Sequence, residues 1–247
     1  MFTDRPIRYF LGLLFLWFAI FAFFRDFSGV DIAFSRLFFS ETACTTTSAA
    51  LHCGSFPWGQ NMVLSTARSI LFFLPADLLI VMVVWAVDDY YRHPDARNMV
   101  LQHNVRILAA TWLIDVVLIV NVWLKEYSGR PRPASTTLFG GNQDFTAVAN
   151  FSGACTSNCS FISGEAASAG WIMCTLAILP ARWRRILWAP VTTLAIFTAF
   201  LRVSFGRHFL SDALLGFLSA PVVFTLLIAL FGWKKSMKKS DGSRIVS

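Results

Sequence analysis

Six stretches of the sequence, 7–24, 67–87, 106–124, 164–180, 186–202 and 209–231, are apolar over roughly the 20 residues that a helix needs to cross a bilayer core. In hydrocarbon every backbone N–H and C=O must be satisfied within the chain, so such runs fold as helices or as strands of a closed barrel. None of the six alternates with period two, which disfavours the barrel. The expected fold is therefore all-α, an integral membrane bundle of six transmembrane helices. Composition points the same way. The chain is 56% hydrophobic and 14% charged, against about 25% charged in a typical soluble protein. A soluble domain of 247 residues would put much of that surface in water, and a disordered chain would not carry it. The length suits one compact unit, read as a single membrane domain over 1–231 followed by a basic tail over 232–247.

The basic residues set the expected orientation. With both termini cytoplasmic, the inner segments hold 13 of the 21 Lys and Arg, ending in the K-K-S-M-K-K tail, and the outer segments hold 8. The positive-inside rule favours that arrangement. The net charge of +7 then reflects topology and an anionic substrate, and no nucleic-acid partner is implied. The first stretch is read as a retained span, because Phe-Phe-Arg-Asp follows it where a cleaved signal peptide would have small residues. Cys174 falls inside a span, as a buried thiol. Cys44 and Cys53 share one outer loop, and Cys155 and Cys159 share the other. In an oxidising compartment four such cysteines imply two disulfides, most simply one within each loop, although cross-pairing is allowed. A zinc site using His52 is the weaker alternative, since neither spacing is C-x2-C.

Three outer segments place polar chemistry at span ends. Lys125 to Pro133, K-E-Y-S-G-R-P-R-P, sets three cations on a backbone stiffened by two prolines, which suits an anion. Ser163-Gly164 lies where the fourth helix begins. Its ordinary role is an N-cap, and its backbone N–H groups also suit a phosphate. Leu201 to Asp212, L-R-V-S-F-G-R-H-F-L-S-D, carries His208 and Asp212 four residues apart. A carboxylate bonded to one imidazole nitrogen would leave the other free for attack.

Together these segments resemble the signature of the type 2 phosphatidic acid phosphatase superfamily: K-x6-R-P at Lys125 to Arg132-Pro133, S-G at Ser163-Gly164, and R-x5-H-x3-D at Arg202, His208 and Asp212. Members include membrane lipid phosphatases, and soluble vanadium haloperoxidases share the fold. The resemblance implies that Lys125, Arg132 and Arg202 hold the phosphate oxygens and that Ser163 and the Gly164 N–H add donors. It implies that His208 attacks phosphorus to form a phosphohistidine, that Asp212 orients His208, and that neither a metal nor another cofactor is required. Three positions depart from the pattern. Ile162 stands for the usual Pro, Leu201 for the usual Ser, and Glu165 for the usual His that protonates the leaving oxygen. Glu165 is expected to take over as catalytic acid and then base, or else to clamp an arginine. The Phe-x-Ser-Gly-Glu form is similar to that of some bacterial lipid A phosphatases.

The expected function is thus a phosphomonoester hydrolase of lipid A, at the 1- or 4′-phosphate, working at the periplasmic face of the bacterial inner membrane among membrane lipids. An undecaprenyl pyrophosphate or phosphatidylglycerophosphate phosphatase is the nearest rival. A non-catalytic binder or transporter of lipid phosphates comes from a different class, and a haloperoxidase-like oxidant enzyme fits six spans poorly. Oligomeric state is not legible. Asp77 and Asp115 lie within spans and are expected to face the bundle as polar pairs. Val30 to Phe39 has helical apolar spacing suited to the bilayer surface. The long aperiodic segment 134–160 is expected to shape head-group selection, and the tail 232–247 to meet anionic inner-leaflet lipids.

Overall fold

The computed structural model describes residues 6–44, 52–95 and 97–234. Its principal helices are α1 (Pro6–Asp26), α2 (Gly29–Arg36), α3 (Met62–Arg92), α4 (Met99–Tyr127), α5 (Gly164–Thr175), α6 (Ala181–Ser204) and α7 (Leu210–Phe231). Five of them, α1, α3, α4, α6 and α7, are long and apolar enough to cross a membrane. Their outer faces carry exposed Phe15 and Phe18 on α1, Val81, Val84 and Trp85 on α3, and Trp188 and Ile196 on α6. An apolar belt of that extent is stable against lipid and not against water. The protein is a helical membrane protein.

The fourth expected span takes a different form. α5 has 12 residues and passes through a single 3-10 turn, Leu176–Ile178, before Pro180 opens α6. It is too short to count as a span by length, because its sequence serves packing inside the bundle. Its Gly-Glu-Ala-Ala-Ser-Ala-Gly face is small and mostly buried. A Cβ at Gly170 would run into the Phe217 carbonyl of α7. One at Gly216 of α7 would come within 2.5 Å of the Ser163 carbonyl. Small residues allow this backbone approach between membrane helices. α1 closes on the same helix, where Trp17 Nε1 donates to the Leu215 carbonyl at 3.0 Å.

Two apolar clusters stack along the bundle. One is built on Leu108, Trp171, Phe224 and Ile228, the other on Phe24, Val120, Ile162 and Leu215. Between Trp112 and Leu124, α4 widens into a π-helix, a form that recurs near functional sites. Asp115 lies in this stretch and meets Ser219 Oγ at 3.0 Å, the bundle-facing pair expected for it. Asp77 departs from expectation: it is exposed on the outer face of α3, which packs loosely at the edge of the bundle.

The long loops at one end of the bundle are ordered by short-range bonds. α2 forms where the apolar spacing predicts a surface helix. A hairpin pairs Ser40–Thr42 with Cys53–Ser55. Disulfides join Cys44 to Cys53 and Cys155 to Cys159, one within each loop, which leaves no thiolate for a zinc site there. Cys174 is a buried free thiol. The segment after α4 returns on itself. The Cys159 N–H donates to the Lys125 carbonyl at 2.8 Å and the Ser160 N–H to the Arg130 carbonyl at 2.8 Å. That return sets Ser160 to Ser163 against the end of α4 and the start of α7. Residues 235–247, most of the basic tail, lie outside the described residues.

Candidate active site

All three polar segments converge at one end of the bundle. Ser163 caps α5, its Oγ accepting from the Ala166 N–H at 3.3 Å, and its own N–H donates to the Asp212 carbonyl at 3.0 Å. Lys125 is steered by Asn121. Asn121 Nδ2 donates to the Val116 carbonyl at 2.6 Å, and Asn121 Oδ1 accepts from Lys125 Nζ at 2.6 Å. A Cβ on Gly164 would lie 2.8 Å from Asn121 Oδ1 and 3.1 Å from Lys125 Nζ. The missing side chain is what lets the ammonium approach the helix N-terminus, where N–H groups and dipole both favour an anion. Gly164→Ala is therefore expected to fold normally, since a Cβ displaces only flexible side-chain ends. It should raise KM about tenfold by moving the ammonium. An unchanged KM in steady-state assays would remove Gly164 from the site.

Arg132 is held by Asn158, through Nε to the backbone carbonyl at 3.1 Å and a terminal nitrogen to Oδ1 at 2.6 Å. Arg68, Arg132, Arg202 and Arg207 line a polar cavity of about 570 Å³ that opens outward. Beside it a smaller apolar cavity of about 290 Å³ runs down between the helices, with Lys125, Gly164 and Glu165 among its lining and Phe72 and Trp112 deeper. Glu165 stands between the two. Arg68 grips its carboxylate with two bonds, Nε to Oε2 at 3.0 Å and a terminal nitrogen to Oε1. Arg202 Nε lies 3.3 Å from Oε1 but is not aligned for a hydrogen bond. The sequence reading left open whether Glu165 clamps an arginine. Here it bridges two.

His208 sits in the turn between α6 and α7. Its N–H and that of Arg207 both donate to the Arg202 carbonyl, and Gly206 supplies the φ of +64° the turn requires. The ring is buried. Its Nδ1 lies 2.7 Å from the Ser160 carbonyl, so Nδ1 carries the proton and donates. Nε2 has no hydrogen bond among the described residues. This corrects the expectation that Asp212 holds the ring directly. Asp212 instead accepts from the Phe209 N–H at 3.0 Å, from Ser160 Oγ at 2.5 Å and from Arg130 at 2.5 Å. The i, i+4 argument needs both residues on a helix, and α7 starts only at Leu210. Asp212 folds back to cap that start, and reaches the imidazole through Ser160.

Burial is the main cause that holds the His208 imidazole well below the usual histidine range, and the charges of Arg202, Arg132 and Lys125 add to it; the Ser160 bond pulls weakly the other way. Burial likewise lowers Arg132, with help from Arg207. The ring is thus expected to be neutral throughout the neutral range. The acidic limb of kcat/KM that reports His208 is expected below about pH 6.5, the ordinary imidazole value. A pH–rate profile with the substrate phosphate (pKa about 6) fitted separately checks this. A limb at or above the ordinary value would mean that neither burial nor the site charges depress the ring.

Two participants were not singled out from the sequence: Arg68 comes from α3 and Asp31 from α2. Arg130, one of the three cations expected to suit an anion, is instead buried among carboxylates, while Arg132 faces the cavity. The spacing within each motif carries no signal for partners 97, 99 and 180 residues away.

Residues 105–236 match the model of the PAP2 superfamily. The chain belongs to this family. It is 44% identical over 230 residues to a lipid A 4′-phosphatase of Rhizobium leguminosarum, covering 93% of this chain and 99% of that one. A lipid A 4′-phosphatase of Francisella tularensis subsp. novicida is 26% identical, covering 88% and 94%. A transmembrane PAP2-type phosphatidylglycerolphosphate phosphatase from Bacillus subtilis shares the fold, with a TM-score of 0.53 at 19% identity, covering 96% of this chain and all of that one.

Proposed function

We propose that the protein is a lipid A 4′-phosphatase of the bacterial inner membrane, hydrolysing the 4′-phosphomonoester at the periplasmic face through a phosphohistidine on His208. The coarser part follows from family and relatives: the chain is a phosphomonoester hydrolase acting on lipid. The finer part is supported above all by the 44% identity to a lipid A 4′-phosphatase over 99% of that relative's length. Arg132 and Arg202 on the polar cavity, Lys125 on the adjoining apolar one, and a His208 ring close enough to feel all three charges support the chemistry.

In this mechanism the phosphate enters the arginine-lined cavity and is held by Lys125, Arg132, Arg202, the Ser163 hydroxyl and the Gly164 N–H. His208 Nε2 bonds to phosphorus as the sugar oxygen leaves, and Nδ1–H keeps its bond to Ser160. Glu165, released from its arginines as the dianion competes for them, takes up a proton from solvent and passes it to the leaving oxygen. It then takes a proton from the water that cleaves the N–P bond. Side-chain cations offset the phosphate charge at each stage. The lipid body lies toward the apolar cavity. α5 serves as a short sixth pass shielded by its neighbours, both termini lie in the cytoplasm, and residues 1–231 act as one domain.

The test is phosphate release by purified protein in detergent micelles with EDTA. The panel is lipid A, lipid A bearing only its 1-phosphate, undecaprenyl pyrophosphate, phosphatidylglycerophosphate and phosphatidic acid. Preferred release of the 4′-phosphate is expected. Faster release from another lipid overturns the substrate. Binding without any release would favour the reading that the Arg68–Glu165–Arg202 clamp supports, a lipid-phosphate binder without turnover.

A further inference from the structure

Behind the imidazole lies a second ionic cluster that the proposed mechanism does not use. Arg130 is 1% exposed and Asp31 and Asp212 are fully buried. Arg130 donates to Asp212 Oδ1 at 2.5 Å, to Ser211 Oγ at 2.8 Å, to Asp31 Oδ2 at 2.7 Å and to the Thr146 carbonyl at 2.9 Å. Asp31 also accepts from the Ser211 N–H at 2.9 Å and from Ser211 Oγ at 2.6 Å. Each carboxylate receives hydrogen bonds on both oxygens and donates none, the pattern of the ionised form. Two carboxylates face one guanidinium, so the cluster carries one excess negative charge in a site without water access. Asp212 alone would neutralise Arg130. Asp31, brought in from α2, supplies the excess.

A buried charge without a full partner is costly. Arg132 is near enough to act on Asp212 in the resting site, and a further positive charge close by would stabilise the cluster. That charge arises in the reaction proposed above. When Nε2 bonds to phosphorus and the P–O bond to the sugar breaks, the proton for the departing oxygen comes from Glu165. The imidazole retains its Nδ1 proton and passes from neutral to +1. Lys125, Arg132 and Arg202 all face the ring and oppose that change. The Ser160 carbonyl, with Ser160 Oγ bonded to Asp212, connects the ring to the anionic cluster.

We propose that Asp31 is a positioning residue for phosphoryl transfer: through Arg130, Asp212 and Ser160 it fixes the His208 ring and makes the cluster behind it anionic, favouring the imidazolium of the intermediate. The inference rests on the histidine mechanism proposed above, and it assigns a part in the reaction to α2, outside the three motif segments. Its electrostatic effect belongs to the step in which charge appears, so it acts on turnover more than on binding.

The experiment uses the full chain in micelles, with wild type and Asp31→Asn compared on whichever lipid wild type hydrolyses. Absence of wild-type turnover on every lipid defeats the functional reading, and a change of preferred lipid leaves the Asp31 comparison intact. Asp31→Asn is expected to lower kcat about 10- to 100-fold. Inhibition by vanadate, a phosphate mimic, should stay within about twofold, because Lys125, Arg132 and Arg202 are untouched. The acidic limb of kcat/KM should move to lower pH, since less negative charge faces the ring, and Asp31→Glu should recover part of kcat. Wild-type kcat in Asp31→Asn overturns the proposal. So does an equal loss of turnover and vanadate binding together with a lower melting temperature, the mark of a merely structural residue. Should Asp31→Asn not fold, Asp31→Asn/Ser211→Asp returns a carboxylate to Arg130 from α7. Its kcat is expected within about tenfold of wild type, and a folded, vanadate-binding but inactive double variant overturns the charge argument.

Discussion

Replacing His208 by Ala or Asn should reduce phosphate release by about 10³-fold or more while phosphate-mimic binding survives. The geometry separates the two properties. The cations proposed to meet the phosphate, Lys125, Arg132 and Arg202, are held by Asn121, Asn158 and Glu165, and none of these contacts passes through the imidazole. Its hydrogen bond goes to the Ser160 carbonyl alone. Removing the ring is therefore expected to take away the proposed nucleophile and leave the proposed anion site standing. Asn is the more informative replacement, because its amide can still donate to Ser160 and it leaves less of a cavity in a buried position. Vanadate inhibition should remain within a few-fold of wild type on this argument. Brief reaction with ³²P-labelled substrate and an alkaline detergent quench, which preserves phosphohistidine, gives a direct second readout. An acid-labile phosphoenzyme should accumulate in wild type and be absent from both variants. Turnover within about tenfold of wild type in His208→Asn would exclude a nucleophilic role, since general-base loss alone costs 10²- to 10⁴-fold.

Much of this arrangement is readable in the sequence, and the boundary of what is readable has physical causes. Hydrophobic length identifies α1, α3, α4, α6 and α7 because a lipid-facing helix must be apolar along most of its circumference. It overstates α5, where an equally apolar run is apolar for a different reason: Ala167, Ala169 and Trp171 are buried against protein, and 12 helical residues suffice. The disulfides follow from loop assignment, since two cysteines in one short loop meet more readily than two across the molecule. The His208–Asp212 spacing located the site but misjudged its wiring, because His208 precedes the helix and Asp212 spends its oxygens on the helix start. Local sequence has no access to Arg68 and Asp31. Both act through partners on other helices, and an arginine at the head of a span and an aspartate in an amphipathic helix are ordinary where they stand. A partner search among buried charges is what finds them.

Glu165→Gln gives the second large effect, and its form decides what replaced the usual histidine. The change removes a proton donor and a negative charge together, and the two losses act on different constants. Arg68 keeps at most one bond, to the amide oxygen, and both Arg68 and Arg202 lose their ion pair, so both guanidinium groups become available to phosphate at a lower cost of displacing the side chain. Binding should tighten, with KM falling several-fold. Turnover should fall by about 10²- to 10⁴-fold if Glu165 supplies the proton to the leaving oxygen. A clamp without an acid role predicts the tighter binding and a kcat near wild type. Substrate chemistry separates the cases further. An aryl phosphate, whose leaving oxygen is acidic, needs little protonation, so the Glu165→Gln defect should shrink toward unity on that substrate and stay large on the sugar phosphate. Glu165→His restores the proton donor in the form the family ordinarily uses but leaves Arg68 without its carboxylate. It should recover turnover on the sugar phosphate over Glu165→Gln, while a shortfall from wild type would measure what the arginine bridge contributes. If Glu165→His is no faster than Glu165→Gln on either substrate, proton supply at this position is not what limits the reaction, and the carboxylate is there to hold the two arginines apart until phosphate arrives.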